Sequence, residues 1–253
     1  MTGQNPTQKT SKRTALLCIC LLIFGVSLVF RLMKMLLDPV LMRDSVLYLS
    51  LAESWFETGN YAHTLVDTAS PPLPLWSIKT FLAAGFNAEV AGRSLSIFFG
   101  SLTPVAGFLF TLKLCNNIRI ALISALLLAI HPGLVAFSVQ PLRENYYIFF
   151  DGLLLAMIAV SIKKDSMLNW GLCGFFLSLA YFCRFEAVEF LLIVPFIIAV
   201  LFFCRKIKFT QAFLNASAFS LCFLLMTIFL LSFVDFETLF ITRDLPWLRK
   251  YIP

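Results

Sequence analysis

The chain has 253 residues, of which 60% are hydrophobic and 13% charged, and its mean hydropathy is +0.88. No water-soluble domain hides that much apolar surface, so the sequence describes a polytopic membrane protein of the all-α transmembrane class. The net charge of +6 is not that of a nucleic-acid binder, because the basic residues are scattered through short loops between apolar segments.

Lys9, Lys12 and Arg13 precede the first apolar run, "ALLCICLLIFGVSLVF". That run is too long for a signal-peptide core and no A-x-A site follows it, so it reads as a retained anchor over 15–36. The chain then reaches "RDSVLYLSLAESWFETGNY", which opens on Arg43-Asp44 and stops at Gly59-Asn60. In 44–58, Tyr48, Leu51, Ala52, Trp55 and Phe56 share one face, with Ser50, Glu53, Ser54 and Glu57 opposite, the pattern of an interfacial helix. "PPLPLWSIKTFLAAGF" (71–86) is too short to span and carries Lys79, so it reads as a second surface or re-entrant helix, joined to the first by 59–70. Further spans fall at 91–113, 118–138, 146–162, 168–184, 187–204 and 209–234, seven in all. The apolar stretch from Trp170 to Phe203 would reach about 50 Å as one helix, too long for one crossing. Arg184, Glu186 and Glu189 mark where it turns back.

Charge sets the orientation. Loops with Lys113/Arg119, Lys163/Lys164 and Arg205/Lys206/Lys208 share a side with the basic N-terminus, which makes that side the cytoplasm. Of the fourteen acids only Asp165 falls there. The chain thus divides into a cytoplasmic N-terminus (1–14), a transmembrane module (15–234) with its first extracytoplasmic loop at 38–90, and an extracytoplasmic tail (235–253).

The seven cysteines lie in or beside apolar segments and read as small apolar residues. The sequon at Asn215 falls within an apolar segment and reads as chance. No metal site, cofactor motif, Gly-rich phosphate loop or Ser-His-Asp arrangement is visible. His131, with only His63 elsewhere, reads as a packed residue rather than a ligand.

Ionisable groups at membrane depth are costly and face a cavity or a partner. Here they gather toward the outer side: Asp44, Lys79, Arg93, Arg143, Glu144, Asp151, Arg184, Glu186 and Glu189. Arginines beside apolar helix ends suit a phosphate, and an unpaired carboxylate near them suits a general base. The structural alternatives are a helix cap for Asp44, ion pairs or anchors for Arg143-Glu144 and Arg184/Glu186, and a snorkelling Lys79; Asp151 should face the bundle.

The order of these features resembles a known class. An acidic residue opens a Y-x-x-x-A helix (Asp44, Tyr48, Ala52, Gly59). Pro71-Pro72-Leu73 with Trp76, "AGRSLSIFFGSLTP", "HPGLVAFSVQPLREN" and "GLCGFFLSLAYFCRFEAVEFLLIVP" follow. From about residue 15 to 204 this is similar to the GT-C membrane glycosyltransferases, in the branch of protein mannosyltransferases and lipid A aminoarabinose transferases. The resemblance implies a seven-span module with two surface helices in its first outer loop. It implies a polyprenyl-phosphate sugar as donor and a lipid, glycan or protein as acceptor. It places Asp44 as the base at the outer face and Arg143 and Arg184 at the donor phosphate; Glu144 and Glu186 beside them are expected to bind substrate, and Lys79 to substitute for a missing phosphate contact. Many bacterial relatives carry Lys before the Pro-Pro pair, where this chain has Ser70. Enzymes of the class continue beyond seven spans, which leaves a second reading: a non-catalytic or truncated subunit that keeps the lipid-phosphate module, paired with another membrane subunit. A transporter or flippase is a third, less favoured because no symmetry of broken helices is present. The expected location is the bacterial plasma membrane.

Overall fold

The computed structural model describes residues 6–59 and 71–232, with side chains from residue 14 onward, and the described residues form helices without strands. α1 is Pro6–Leu37, α2 Arg43–Thr58, α3 Pro72–Ala83, α4 Ala88–Cys115 and α5 Ile118–Ile130. α6 is Pro132–Ser138, α7 Arg143–Lys163, α8 Met167–Tyr181, α9 Phe190–Phe203 and α10 Phe209–Leu231, with a 3-10 turn at Phe185–Glu189 before α9.

Five helical stretches are long and apolar enough to cross a bilayer: Thr14–Leu37, α4, α7, Phe185–Phe203 and α10. The expected span at 118–138 is instead a pair, α5 and α6, bent by 56°. His131-Pro132 is the cause, since Pro132 has no N–H to continue the ladder. The expected span at 168–184 is the 15-residue α8, shorter than a full crossing. The count of seven therefore rests on five long helices, one bent pair and one short apolar helix. The predicted surface helices form as α2 and α3; most of the segment joining them, 60–70, and the expected tail at 235–253 lie outside the described residues.

Three apolar clusters hold the bundle. α1, α4 and α5 meet around Ile23, Phe108, Ala121 and Ala125. α7, α8, α9 and α10 meet around Leu154, Trp170, Leu177, Val194 and Phe219. α2 and α3 close over the ends of α4 and α7 through Ala52, Trp55, Leu75, Ala91 and Tyr146. The face of α2 differs from the expectation at its edges: Leu49 and Ser45 are buried, whereas Phe56 is exposed and Tyr48 half-buried. α2 ends at Gly59, whose φ of +72° is the left-handed conformation that glycine adopts without strain.

α8 and α10 cross with their backbones almost touching. A Cβ on Gly174 would overlap the Phe219 carbonyl oxygen, and Gly171 faces Cys222 and Ala218. Small residues at a crossing are how membrane helices gain packing where lipid removes the hydrophobic drive. At the cytoplasmic end by the charge rule, Asp165 accepts from Trp170 Nε1 at 3.0 Å and from Asn215 Nδ2 at 2.6 Å. Asn215 is fully buried there, so the sequon is a packing residue. All seven cysteines are free.

Gly174→Ala should lower thermal stability in detergent by about 1–3 kcal/mol, because the backbones must part. Gly25→Ala, where no atom lies within 4 Å of the added Cβ, should leave the melting temperature unchanged or slightly raised. Equal melting of the two variants would contradict the close crossing.

Candidate functional site

Three breaks in the helices create the site: 38–42 between α1 and α2, 139–142 between α6 and α7, and 182–184 after α8. Each leaves backbone groups outside a helical ladder, and each delivers charged side chains to the same place.

Asp44 lies in the first turn of α2. It does not cap the helix, correcting that reading: the N-cap is Met42, in extended conformation and with no side-chain cap. Asp44 is exposed, and its charge sits favourably against the positive helix end. One turn on, half-buried Tyr48 lies within electrostatic reach of several of these charges. Burial pushes its phenol above the ordinary value; Arg143 and Arg184 pull it down, and Glu144 and Asp44 push it up. These four groups from α2, α7 and the segment after α8 therefore act on one hydroxyl.

Arg143 opens α7 and pairs with Glu144, Nε to Oε1, at 3.5 Å. Arg184 precedes the 3-10 turn and pairs with Glu186, Nε to Oε2, at 3.2 Å, outside hydrogen-bond angles. Its guanidinium lies 5.8 Å from the centre of the Tyr147 ring. The field of Arg143 also reaches Glu186. Asp151, one turn below Tyr147, faces inward as expected, with its Oδ1 buried and without a hydrogen bond. Among the described residues, no group of three His, Cys, Asp or Glu side chains converges on a metal-sized point.

Five of the six expected site residues thus share one neighbourhood: Asp44, Arg143, Glu144, Arg184 and Glu186. Lys79 does not join them. Its Nζ sits 4.5 Å above the centre of the Trp55 ring, about 10 Å further along α2 than Tyr48. Partial burial lowers its amine below the ordinary value. Arg93 serves structure: it is 7% exposed, pairs with Glu89 at 2.8 Å and donates to the Pro39 carbonyl at 2.7 Å. His131 is exposed rather than packed, and its Nδ1 accepts from Leu134 N–H at 3.3 Å to cap α6.

Sequence reasoning missed three residues. Tyr48 was counted as part of an apolar face and of the Y-x-x-x-A pattern, but not as a site residue. Gln140 gives no pattern to a periodicity argument, yet it is 1% exposed and hydrogen-bonded through both its amide oxygen and its amide nitrogen. Arg31 ends an apolar run and is fully buried. It donates to Ser27 and, at 3.4 Å, to the Ala129 carbonyl at the α5–α6 break. A single arginine followed by two leucine-rich turns in α1 was the available signal.

An apolar groove leads away from the charges. Pro72, Leu73, Trp76, Leu179, Phe182 and Phe229 line a cavity of about 230 Å³ between α3, α8 and α10. Met226 and Phe229 are shared with a second apolar cavity of about 540 Å³ that continues between α8 and α10 to Met167. Phe182, two residues before Arg184, is buried in the groove wall, and its carbonyl accepts from Leu73 N–H at 3.1 Å.

The model of one protein family, described as dolichyl-phosphate-mannose-protein mannosyltransferase, matches residues 69–233. That range contains Arg143, Glu144, Arg184, Glu186 and the groove, and begins after Asp44. No curated protein matches the chain.

Because Asp44 is not the cap of α2, Asp44→Ala should cost at most about 1 kcal/mol, the size of a charge–dipole contribution in a first helical turn. Thermal unfolding in detergent checks this; a loss of several degrees beyond that of Gly174→Ala would show a structural role for the carboxylate.

Proposed function

Because the chain belongs to the dolichyl-phosphate-mannose-protein mannosyltransferase family, a family of membrane glycosyltransferases, we propose that it moves a sugar from a polyprenyl-phosphate donor to an acceptor hydroxyl on the extracytoplasmic face of a plasma membrane. What supports this reading is that Asp44, Arg143 and Arg184 all lie within electrostatic reach of Tyr48, with an apolar groove whose wall includes Phe182, two residues before Arg184.

The parts match the chemistry of such a donor. A polyprenyl tail is apolar and suits the groove between α8 and α10. Its phosphate would lie at the mouth, where Arg184 and Arg143 offer guanidinium forks. Glu144 and Glu186 hold those forks in place through their ion pairs. Asp44, exposed on the opposite wall, takes the proton of the acceptor hydroxyl as its oxygen attacks C1 of the sugar. The C1–O bond to phosphate breaks, its electron pair stays on the phosphate, and the arginines stabilise that charge. Attack opposite the leaving group inverts the anomeric carbon. Lys79, over Trp55, stands apart from the transfer step.

Asp44→Asn should keep the fold and donor retention while turnover falls by about 100-fold or more, since a carboxamide takes no proton. The assay is transfer from radiolabelled polyprenyl-phosphate sugars by purified protein in lipid. Wild-type turnover in an intact Asp44→Asn protein would remove Asp44 from the mechanism. Arg143→Lys and Arg184→Lys should each weaken retention of polyprenyl phosphate, and the alanine variants more so, because a point charge replaces a bidentate fork. Unchanged retention in both alanine variants would overturn the donor site. Retention without any transfer by the wild-type protein would favour the non-catalytic subunit.

The seven-passage topology has its own check. A reporter inserted at Lys164 should read cytoplasmic and one at Gly85 extracytoplasmic; both on one side would contradict the proposed orientation.

A further inference from the structure

The proposed base lies in the segment that opens α2, and the proposed phosphate ligand Arg143 in the segment that opens α7. The two segments are joined beneath the site by a buried polar clamp. Gln140 Oε1 accepts from Met42 N–H at 3.0 Å and from Ser45 Oγ at 3.1 Å, and its Nε2 donates to the Val40 carbonyl at 2.9 Å. These partners flank Asp44 on both sides. Gln140 itself stands three residues before Arg143. Its own carbonyl accepts from Asn145 Nδ2 at 3.0 Å, which ties it to the first turn of α7. Arg93, from α4, grips the same two segments: Nη2 donates to the Pro39 carbonyl at 2.7 Å, and Nη1 to those of Asp38 at 3.3 Å and Val139 at 3.4 Å.

We infer that Gln140, supported by Arg93, is a positioning residue that fixes Asp44 relative to Arg143. The inference rests on the proposed reaction. An amide is suited to the task because it donates and accepts at once, and both ends of this one are used. The chain from 38 to 42 has no helical ladder, so its place depends on these bonds. Base and leaving group must be held to within a fraction of an ångström for an in-line displacement, and a 1 Å error costs about 100-fold in rate.

The experiment compares Gln140→Met, Gln140→Glu and the wild-type protein in lipid nanodiscs. Methionine matches the length and loses all three side-chain bonds. Glutamate keeps an acceptor for Met42 and Ser45 and loses the donor to Val40. Four quantities are read: kcat and donor KM for transfer, retention of polyprenyl phosphate, and amide exchange over residues 39–46. Gln140→Met should lower kcat by about 10- to 100-fold with KM and retention within about threefold of wild type, and should speed exchange at 39–46 with α8 and α10 unchanged. Gln140→Glu should fall between. Faster local exchange with unchanged kcat would overturn the inference, as would loss of stability throughout with unchanged turnover per folded molecule. If the wild-type protein transfers no sugar, the proposed reaction fails on its own. The clamp is then judged by exchange, and unchanged protection at 39–46 in Gln140→Met overturns it.

Discussion

A bilayer offers no partner to a backbone carbonyl or amide freed from a helix, so every break in a membrane helix has to be repaired by protein. That constraint organises this molecule. At the α5–α6 bend the Ala129 carbonyl receives Arg31. Between α1 and α2 the carbonyls of Asp38, Pro39 and Val40 receive Arg93 and Gln140. Between α6 and α7 Asn145 donates to the carbonyls of Phe137 and Gln140. After α8 the Phe182 carbonyl receives the Leu73 amide. The repairs link one break to another, and the charged residues next to the breaks are thereby brought to one place.

The same constraint explains why the surface helices matter. α2 and α3 cover the ends of α4 and α7 with Trp55, Leu75 and Tyr146, and the Tyr146 hydroxyl shares a hydrogen bond with Ser77 at 2.9 Å. They close the outer end of the bundle and leave Asp44 at its edge, exposed, while the arginines sit half-buried behind it. In the proposed reaction, an acceptor arriving from water would meet the exposed Asp44 carboxylate first. A lipid-linked donor following the groove between α8 and α10 would, in the same proposed reaction, reach Phe182 and then Arg184, two residues on.

Much of this was legible in the sequence, because hydropathy and the distribution of Lys and Arg report the bilayer directly. Helix α2 was visible from its amphipathic face, and α3 as an apolar stretch too short to span that carries Lys79. The turn at Arg184–Glu189 was visible because an uninterrupted helix would overshoot the membrane. Grouping Asp44, Arg143, Glu144, Arg184 and Glu186 came from a resemblance together with the cost of charge at depth. Other features were not legible. The 56° bend at His131-Pro132 was not, because a proline alone does not announce a break: Pro104 and Pro195 sit inside α4 and α9 without ending them. Lys79 looked equivalent to the arginines by depth, yet the ring of Trp55 holds it elsewhere. Gln140 and Arg31 carry no periodic signal, since their value lies in which distant carbonyls they meet. Asp44 looked like a cap because Asp is common there; the extended Met42 moved the helix start two residues earlier.

The central claim is that the arginines after the breaks bind a lipid-linked phosphate. It is tested most directly by phosphorus–nitrogen dipolar coupling in solid-state NMR, with polyprenyl phosphate and arginine-labelled protein in bilayers. The account predicts a coupling between the phosphate and guanidinium nitrogens that disappears when Arg143 and Arg184 are both replaced by Lys. A coupling that survives that double replacement, or none in the wild-type protein saturated with the lipid, would contradict it.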